Sequence, residues 1–267
     1  MIYSNKINMD KFYTNPDIAK ICIDFIDLSK YDLIIEPSAG SGSFSNNINN
    51  DTLLALDILP ENDNIIQCNW FEFNLKNEYN NILVIGNPPF GIRNKLSKAF
   101  VEKAIEINAK TIAFILPNVY DKHTLQSIFP SDYRLVHKYR LPKNSFIADG
   151  KEIHIPCTFY VWDKSIGEDL RFNPNLYKTD DFEFISKSES NNDDFFIFGA
   201  SPNTVKEICE IKKTNRGYYI RPKEKSKKEL MKIFTETKFD ALSSVSGGVA
   251  WRTKPEIIKS YIKGDLI

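Results

Sequence analysis

The chain has 267 residues with 35 basic and 35 acidic side chains, 42% hydrophobic and 26% charged content. These are the proportions of an ordinary globular protein, long enough for one large domain and a small second one. No apolar stretch approaches the roughly 18 residues of a membrane span, and the N-terminus lacks the pattern of a secretory signal. The zero net charge hides segregation: residues 1–92 carry 5 basic against 12 acidic side chains, 93–143 carry 10 against 4, and 212–228 carry 8 against 1. Any one basic run reads equally well as a solvated face, but two of them suit a polyanionic partner.

Residues 1–9 show no pattern. Asn15-Pro16 reads as an N-cap and first helical position, followed by Ile18, Ile21, Cys22 and Phe25 on one face. Leu33-Ile34-Ile35 and Ile82-Leu83-Val84-Ile85 are short apolar runs bounded by Gly and Pro, hence buried strands. The first ends in Glu36-Pro37-Ser38-Ala39-Gly40-Ser41-Gly42-Ser43-Phe44, the second in Asn87-Pro88-Pro89-Phe90. Ligands of open α/β sheets bind beyond such strand ends, so both motifs should face one crevice. Thr52 to Leu56 ending at Asp57, and Ile65 to Cys68 ending at Asn69-Trp70-Phe71, add two more strands. Leu96, Phe100, Ala104 and Ile107 suggest a helix, and Thr111 to Leu116 a fifth strand. Tyr133 to Leu141 and Ile155 to Trp162 look like an antiparallel pair joined by a long loop through Phe146 and Gly150.

From about residue 165 the character changes. Residues 166–201 are acidic and read as a linker or loop around Ser186 to Asn192. Short aromatic strands follow (Phe195 to Phe198, Gly217 to Ile220), with helix-like segments near 203–212 and 225–236, a turn at Ser246-Gly247-Gly248, then Trp251-Arg252. The expected division is 1–164 and 165–267. Four dispersed cysteines (Cys22, Cys68, Cys157, Cys209) without a Cys-x-x-Cys pair read as reduced core thiols of a cytosolic protein, not zinc ligands. His123, His137 and His154 have no second ligand at metal spacing, so no metal is expected.

An acid, Pro, then Ala-Gly-Ser-Gly-Ser-Phe, with Asn-Pro-Pro-Phe 51 residues after the acid, resembles the S-adenosylmethionine-dependent amino-methyltransferases. Within these the chain is most similar to the DNA adenine-N6 enzymes, over residues 10–163. The resemblance implies a doubly wound, Rossmann-like α/β sheet, mostly parallel with a terminal antiparallel strand, plus a small C-terminal α+β appendage. Its cofactor would be S-adenosylmethionine, and its setting a bacterial, phage or viral cytoplasm. The short interval between the motifs resembles the gamma-type order, which leaves the appendage to read the DNA target.

Individual roles follow from that resemblance. Tyr13 and Thr14 would lie against the methionine end of the cofactor. The Pro37, Ala39, Gly40, Gly42 turn would approach it closely, because glycine adopts dihedrals closed to other residues. Glu36 would meet its cationic amino-acid part; a phosphate loop would instead want a Lys and backbone donors. Asp57 would accept both ribose hydroxyls, with Ile58 against the adenine face and Asn69 and Trp70 beside the adenine amine. Asn69 departs from the usual Asp, though its amide oxygen can still accept. Asn87 and the Pro88 carbonyl would accept the two N–H groups of the target amine, Pro89 would stiffen the turn, and Phe90 would stack on the base. Phe146 is a candidate for the opposite face of the base, equally readable as core. Lys223 and Lys225 are candidates for nucleic-acid phosphates. RNA adenine methylation, protein-glutamine methylation and a non-catalytic nucleic-acid-binding subunit are the alternatives.

Overall fold

The computed structural model describes residues 12–148, 150–239 and 251–264. Lys11 and the Ser246-Gly247-Gly248 turn lie outside them. The runs Leu33 to Ile35, Ile82 to Ile85 and Thr111 to Leu116 form strands because each is buried throughout and β-rich in composition. In chain order the first part holds β1 (Tyr13–Thr14), α1 (Pro16–Asp24), β2 (Leu33–Glu36), β3 (Leu53–Asp57), β4 (Ile66–Gln67), β5 (Ile82–Gly86) and α2 (Lys95–Glu106). It continues with β6 (Thr111–Pro117), α3 (His123–Gln126), β7 (Arg134–Arg140), β8 (Phe146–Ala148), β9 (Lys151–Ile153) and β10 (Cys157–Asp163). Every residue of β2, β5 and β6 is buried.

Seven of these strands make one sheet in the order β4-β3-β2-β5-β6-β10-β7. The pairs from β4 to β6 are parallel, whereas β10 runs antiparallel to both β6 and β7. This is the Rossmann-like α/β architecture expected, with its antiparallel end. Strand order reverses direction between β2 and β5, the position at which such sheets open a crevice beyond their C-terminal ends. The link from β2 to β3 contains only a 3₁₀ turn, Ser45–Asn47, in place of a full helix.

Two local expectations change. Asn15 does cap α1, accepting the Asp17 N–H at 3.0 Å, but the buried face is Ile18, Ala19, Cys22 and Ile23. Ile21 and Phe25 remain 37% and 44% exposed. The supposed long loop before β10 holds the β8–β9 hairpin, and β8 also takes β1 as an antiparallel neighbour. That pairing was invisible locally because Tyr13 meets Ile147, far along the chain.

The chain divides into two compact units after Phe172, eight residues beyond the expected boundary. The reason is a clasp: Arg171 donates to the carbonyls of Phe129 (3.1 Å), Pro130 (3.2 Å) and Tyr133, and lies over the Trp162 ring at 5.0 Å. The Phe172 N–H donates to the buried Gln126 Oε1 at 2.7 Å. The second unit contains β11 (Phe182–Ile185), β12 (Phe195–Phe198), β13 (Val205–Glu207), β14 (Gly217–Pro222), α4 (Lys227–Glu236) and α5 (Lys254–Gly264). Its antiparallel sheet has the order β11-β14-β12-β13. Phe182, Phe195, Ile197 and Ile220 of the sheet pack with Leu230, Phe234, Ile257 and Tyr261 of the helices. The segment expected as a helix near 203–212 is instead β13 followed by a 3₁₀ turn at Ile208–Glu210, since Val205 and Lys206 are drawn into pairing with β12.

Candidate active site

Parallel pairing of β2 with β5 sets the two motifs side by side. Gly86 sits between them with a φ of +147°, a backbone conformation that residues with side chains rarely adopt. Ser38 Oγ then donates across to the Asn87 carbonyl at 3.3 Å. Gly40 (φ +55°) carries the turn under the Tyr13 ring, where a Cβ would stand 3.2 Å from Tyr13 Cε1.

The segment before α1 crosses both motifs. The Phe12 carbonyl accepts from Asn87 Nδ2 at 3.4 Å, the Tyr13 hydroxyl donates to Glu61, and the Thr14 carbonyl accepts from Ser43 Oγ at 2.6 Å. Thr14 is buried. Because its amide nitrogen is directed at Phe12, Asn87 turns its Oδ1 the other way. That oxygen is shut off from solvent and accepts no hydrogen bond. A buried carbonyl-type acceptor left unpaired costs about 1–3 kcal/mol, so this oxygen retains its full capacity to accept.

Glu36 is 1% exposed and accepts the Ser45 N–H at 2.8 Å. Burial pushes its carboxyl up to about 8, with the Asp57 charge adding to the effect against the Ser45 and Phe44 hydrogen bonds. Such a group gains most from a cation brought beside it. Asp57 is held by two backbone donors, Gly40 N–H on Oδ2 at 2.7 Å and Leu59 N–H on Oδ1 at 2.8 Å. Each oxygen retains a further lone pair for an incoming hydroxyl. Ile58, next in the chain, is 52% exposed. Pro37 and Ala39 are buried beneath the turn, and Gly42 (φ +90°) donates its N–H to the Ala39 carbonyl at 2.7 Å. Pro88 is buried and Pro89 half-buried.

Other expected members are placed differently. Asn69 caps a 3₁₀ turn, its Oδ1 accepting from the Phe71 N–H at 3.1 Å. Trp70 is 2% exposed, donates Nε1–H to the Phe100 carbonyl at 3.4 Å and stacks on Phe73. It serves the core under α2 and presents no surface to a cofactor; the exposed aromatic of this turn is Phe71. Phe90 is 8% exposed and Phe146 fully buried, both in the main core cluster. Phe146 therefore has no open face for a base, being held under the β1–β8 pair.

The basic run through and just after β14 meets acidic partners within its own unit. Lys223 pairs with Glu183 at 3.0 Å and Lys225 with Asp181 at 3.5 Å. Lys227 pairs with Glu207 at 2.5 Å, and Arg221 with the buried Asp194 at 3.1 Å. Asp181, Glu183, Asp194 and Glu207 thus offset part of the basic run within the second unit, which a segment-by-segment charge count could not reveal. Residues missed from sequence are Phe12 and Ser45, whose backbone groups have no side-chain signature, and Ser38, which sat unweighed inside the first motif.

Among the described residues no three His, Cys, Asp or Glu side chains are grouped to hold a metal ion, and no helix is long and apolar enough to cross a membrane. All four cysteines are free thiols, but only Cys22 and Cys157 belong to the core; Cys68 is half-buried and Cys209 exposed.

No curated protein matches the chain. A solved structure from Pyrococcus horikoshii, described as an RNA methyltransferase, is 17% identical, covering 61% of this chain and 93% of its own, with a TM-score of 0.46. A modification subunit described for a type I restriction enzyme of Vibrio vulnificus is 14% identical over 93% of this chain and 61% of its own, with a TM-score of 0.43. The N-methyltransferase NodS of Bradyrhizobium japonicum is 10% identical over 55% and 94%, with a TM-score of 0.36. None of these bears on substrate. The family of the EDM2 methyltransferase-like domain matches residues 53–189, just over half the chain and including β5 with its Asn-Pro-Pro-Phe end. With the switch-point sheet and its two strand-end motifs, that match makes this chain a member of the EDM2 methyltransferase-like domain family.

Proposed function

We propose that the protein transfers a methyl group from S-adenosylmethionine to the exocyclic N6 amine of adenine in DNA. The observation that carries this reading is the orphaned, buried Oδ1 of Asn87, with its amide fixed by the Phe12 carbonyl. An adenine amine is a weak nucleophile whose lone pair is delocalised into the ring. It needs orientation more than a base. Asn87 Oδ1 accepts one N–H and the Pro88 carbonyl the other, favouring the tetrahedral nitrogen of the transition state through preorganised acceptors. Phe90, anchored in the core, keeps the turn rigid and leaves its remaining edge to the base.

The residues around β2 and β3 fit the methyl donor. Asp57 would hold the ribose hydroxyls, Ile58 the adenine, and Tyr13, Thr14 and Glu36 the cationic methionine end. When bound, S-adenosylmethionine supplies an electrophilic methyl on a sulfonium. A base in a duplex reaches such a site only when extruded. The second unit, with β14 largely neutralised, would contribute to target contact through Lys212, Lys213, Arg216 and Lys228, which have no ion pair among the described residues.

The test is transfer of label from S-adenosylmethionine to matched duplex DNA, single-stranded DNA and RNA. N6-methyladenine in DNA is expected. Label in RNA alone, or in no nucleic acid, would overturn the assignment.

A further inference from the structure

Immediately after the Asn-Pro-Pro-Phe motif the backbone does something costly. Gly91, Arg93 and Asn94 have φ of +67°, +54° and +59°, a region disfavoured for residues that carry a Cβ. Two of the three non-glycine residues with positive φ among the described residues are thus consecutive here. The turn is nonetheless firmly held. Ser97 N–H donates to the Phe90 carbonyl at 3.3 Å, Asn94 N–H to the Gly91 carbonyl at 3.2 Å, and Ser97 Oγ meets the buried Tyr120 hydroxyl at 2.9 Å. Gly91 backs so tightly on Leu96 that a Cβ would come within 2.8 Å of its Cβ.

The result is a rigid projection two residues past Phe90. Asn94 points inward and is buried, while Ile92 is 80% exposed. Arg93 and Lys95 are exposed on either side of Asn94, with no ion-pair partner among the described residues. An apolar side chain at the tip, flanked by unneutralised cations, is poorly suited to bare solvent. It matches the needs of a nucleic-acid duplex: an apolar wedge to fill a gap in the stack, and cations for the phosphates beside it. Strain persisting in an over-determined turn beside a reactive motif is the usual mark of a functional constraint.

We propose that the Gly91–Lys95 turn grips the substrate strand, with Ile92 as the wedge that enters the stack where the target base leaves, and Arg93 and Lys95 on the adjoining phosphates. This rests on the nucleic-acid reading of the site and adds to it the element that separates target from duplex.

The experiment uses the full chain and a fluorescein-labelled DNA duplex of mixed sequence containing all adenine contexts, with its separated strands as a second substrate. Arg93→Gly with Lys95→Ala should lower the salt slope of duplex affinity by about 1.8, two contacts at about 0.9 each. Glycine is chosen because it also relieves the positive φ, so the melting temperature should hold or rise. Ile92→Ala should cut kcat/KM at least tenfold on the duplex and less than twofold on the separated strands, with S-adenosylmethionine affinity unchanged. If the wild type binds and methylates DNA but neither the slope nor the duplex-to-single-strand ratio moves in the variants, the turn is not the grip and the proposed function stands. If the wild type binds no DNA at any salt, the reading of the site has itself failed, and the grip with it.

Discussion

At the scale of the residue, two groups are held in states that the fold alone would not choose. Asn87 keeps a buried acceptor without a donor. Removing it should separate function from stability. Asn87→Ala is expected to lower methyl transfer by about 10²–10³, the usual loss for one preorganised polar contact. S-adenosylmethionine affinity should stay within a few-fold, and the melting temperature should change little, since loss of the Phe12 hydrogen bond is offset by removal of an unsatisfied acceptor. Calorimetry, thermal melting and a transfer assay on one preparation check all three. The second group is Glu36, whose carboxyl burial holds up to about 8, against about 4.3 in an unfolded chain. The folded form therefore binds the proton more tightly. Its contribution to stability is complete below about 4.3 and is lost as pH rises toward about 8. Melting of the ligand-free protein between pH 5.5 and 8.5 should fall more steeply in the wild type than in Glu36→Gln, which cannot ionise. Equal slopes would show that another group is responsible.

At the scale of the element, β14 shows how a charge run becomes structure. Asp194 is 1% exposed, and although burial alone would raise its carboxyl, Arg221, the Asn191 N–H and Lys227 outweigh it and hold it below the usual range. The Lys223–Glu183 pair, by contrast, is about half exposed on both sides. Arg221→Ala should destabilise the second unit by about 1–3 kcal/mol, because it strands a buried carboxylate. Lys223→Ala should change stability by less than about 1 kcal/mol. Chemical denaturation followed by the fluorescence of Trp251 would rank them. If the two substitutions cost the same, the burial contrast does not govern this basic run.

At the scale of the whole molecule, the Asp169–Phe172 segment decides where the first unit ends. Besides the Arg171 and Phe172 contacts, Asp169 Oδ1 accepts the Leu135 N–H at 3.0 Å, closing the open edge of β7. A chain cut after Lys164 leaves these buried partners unsatisfied; one cut after Phe172 keeps them. The shorter chain should be less stable by at least about 3 kcal/mol, on the order of 6–12 °C in Tm for a unit of this size. Differential scanning of the two truncated chains tests this, and coincident transitions would remove the clasp from the account.

The strands, the glycine turn and the ends of β2 and β5 were legible from sequence because they are local. An apolar run between Gly and Pro has few ways to be buried other than as a strand, and Asp57 and Asn87 follow such runs directly. Tertiary structure decided the rest, through partners far along the chain. Trp70 reads as an aromatic at a ligand, yet its N–H is claimed by Phe100. Phe146 looks free in a loop, yet it pairs with Thr14 and is buried. Lys223 and Lys225 look like an unneutralised comb, yet Glu183 and Asp181 fold against them. Asn87 is visible in the motif, but the direction of its amide is set by the Phe12 carbonyl, 75 residues away. Side-chain orientation and charge pairing depend on which distant backbone arrives, and that contact has no local pattern to be read from.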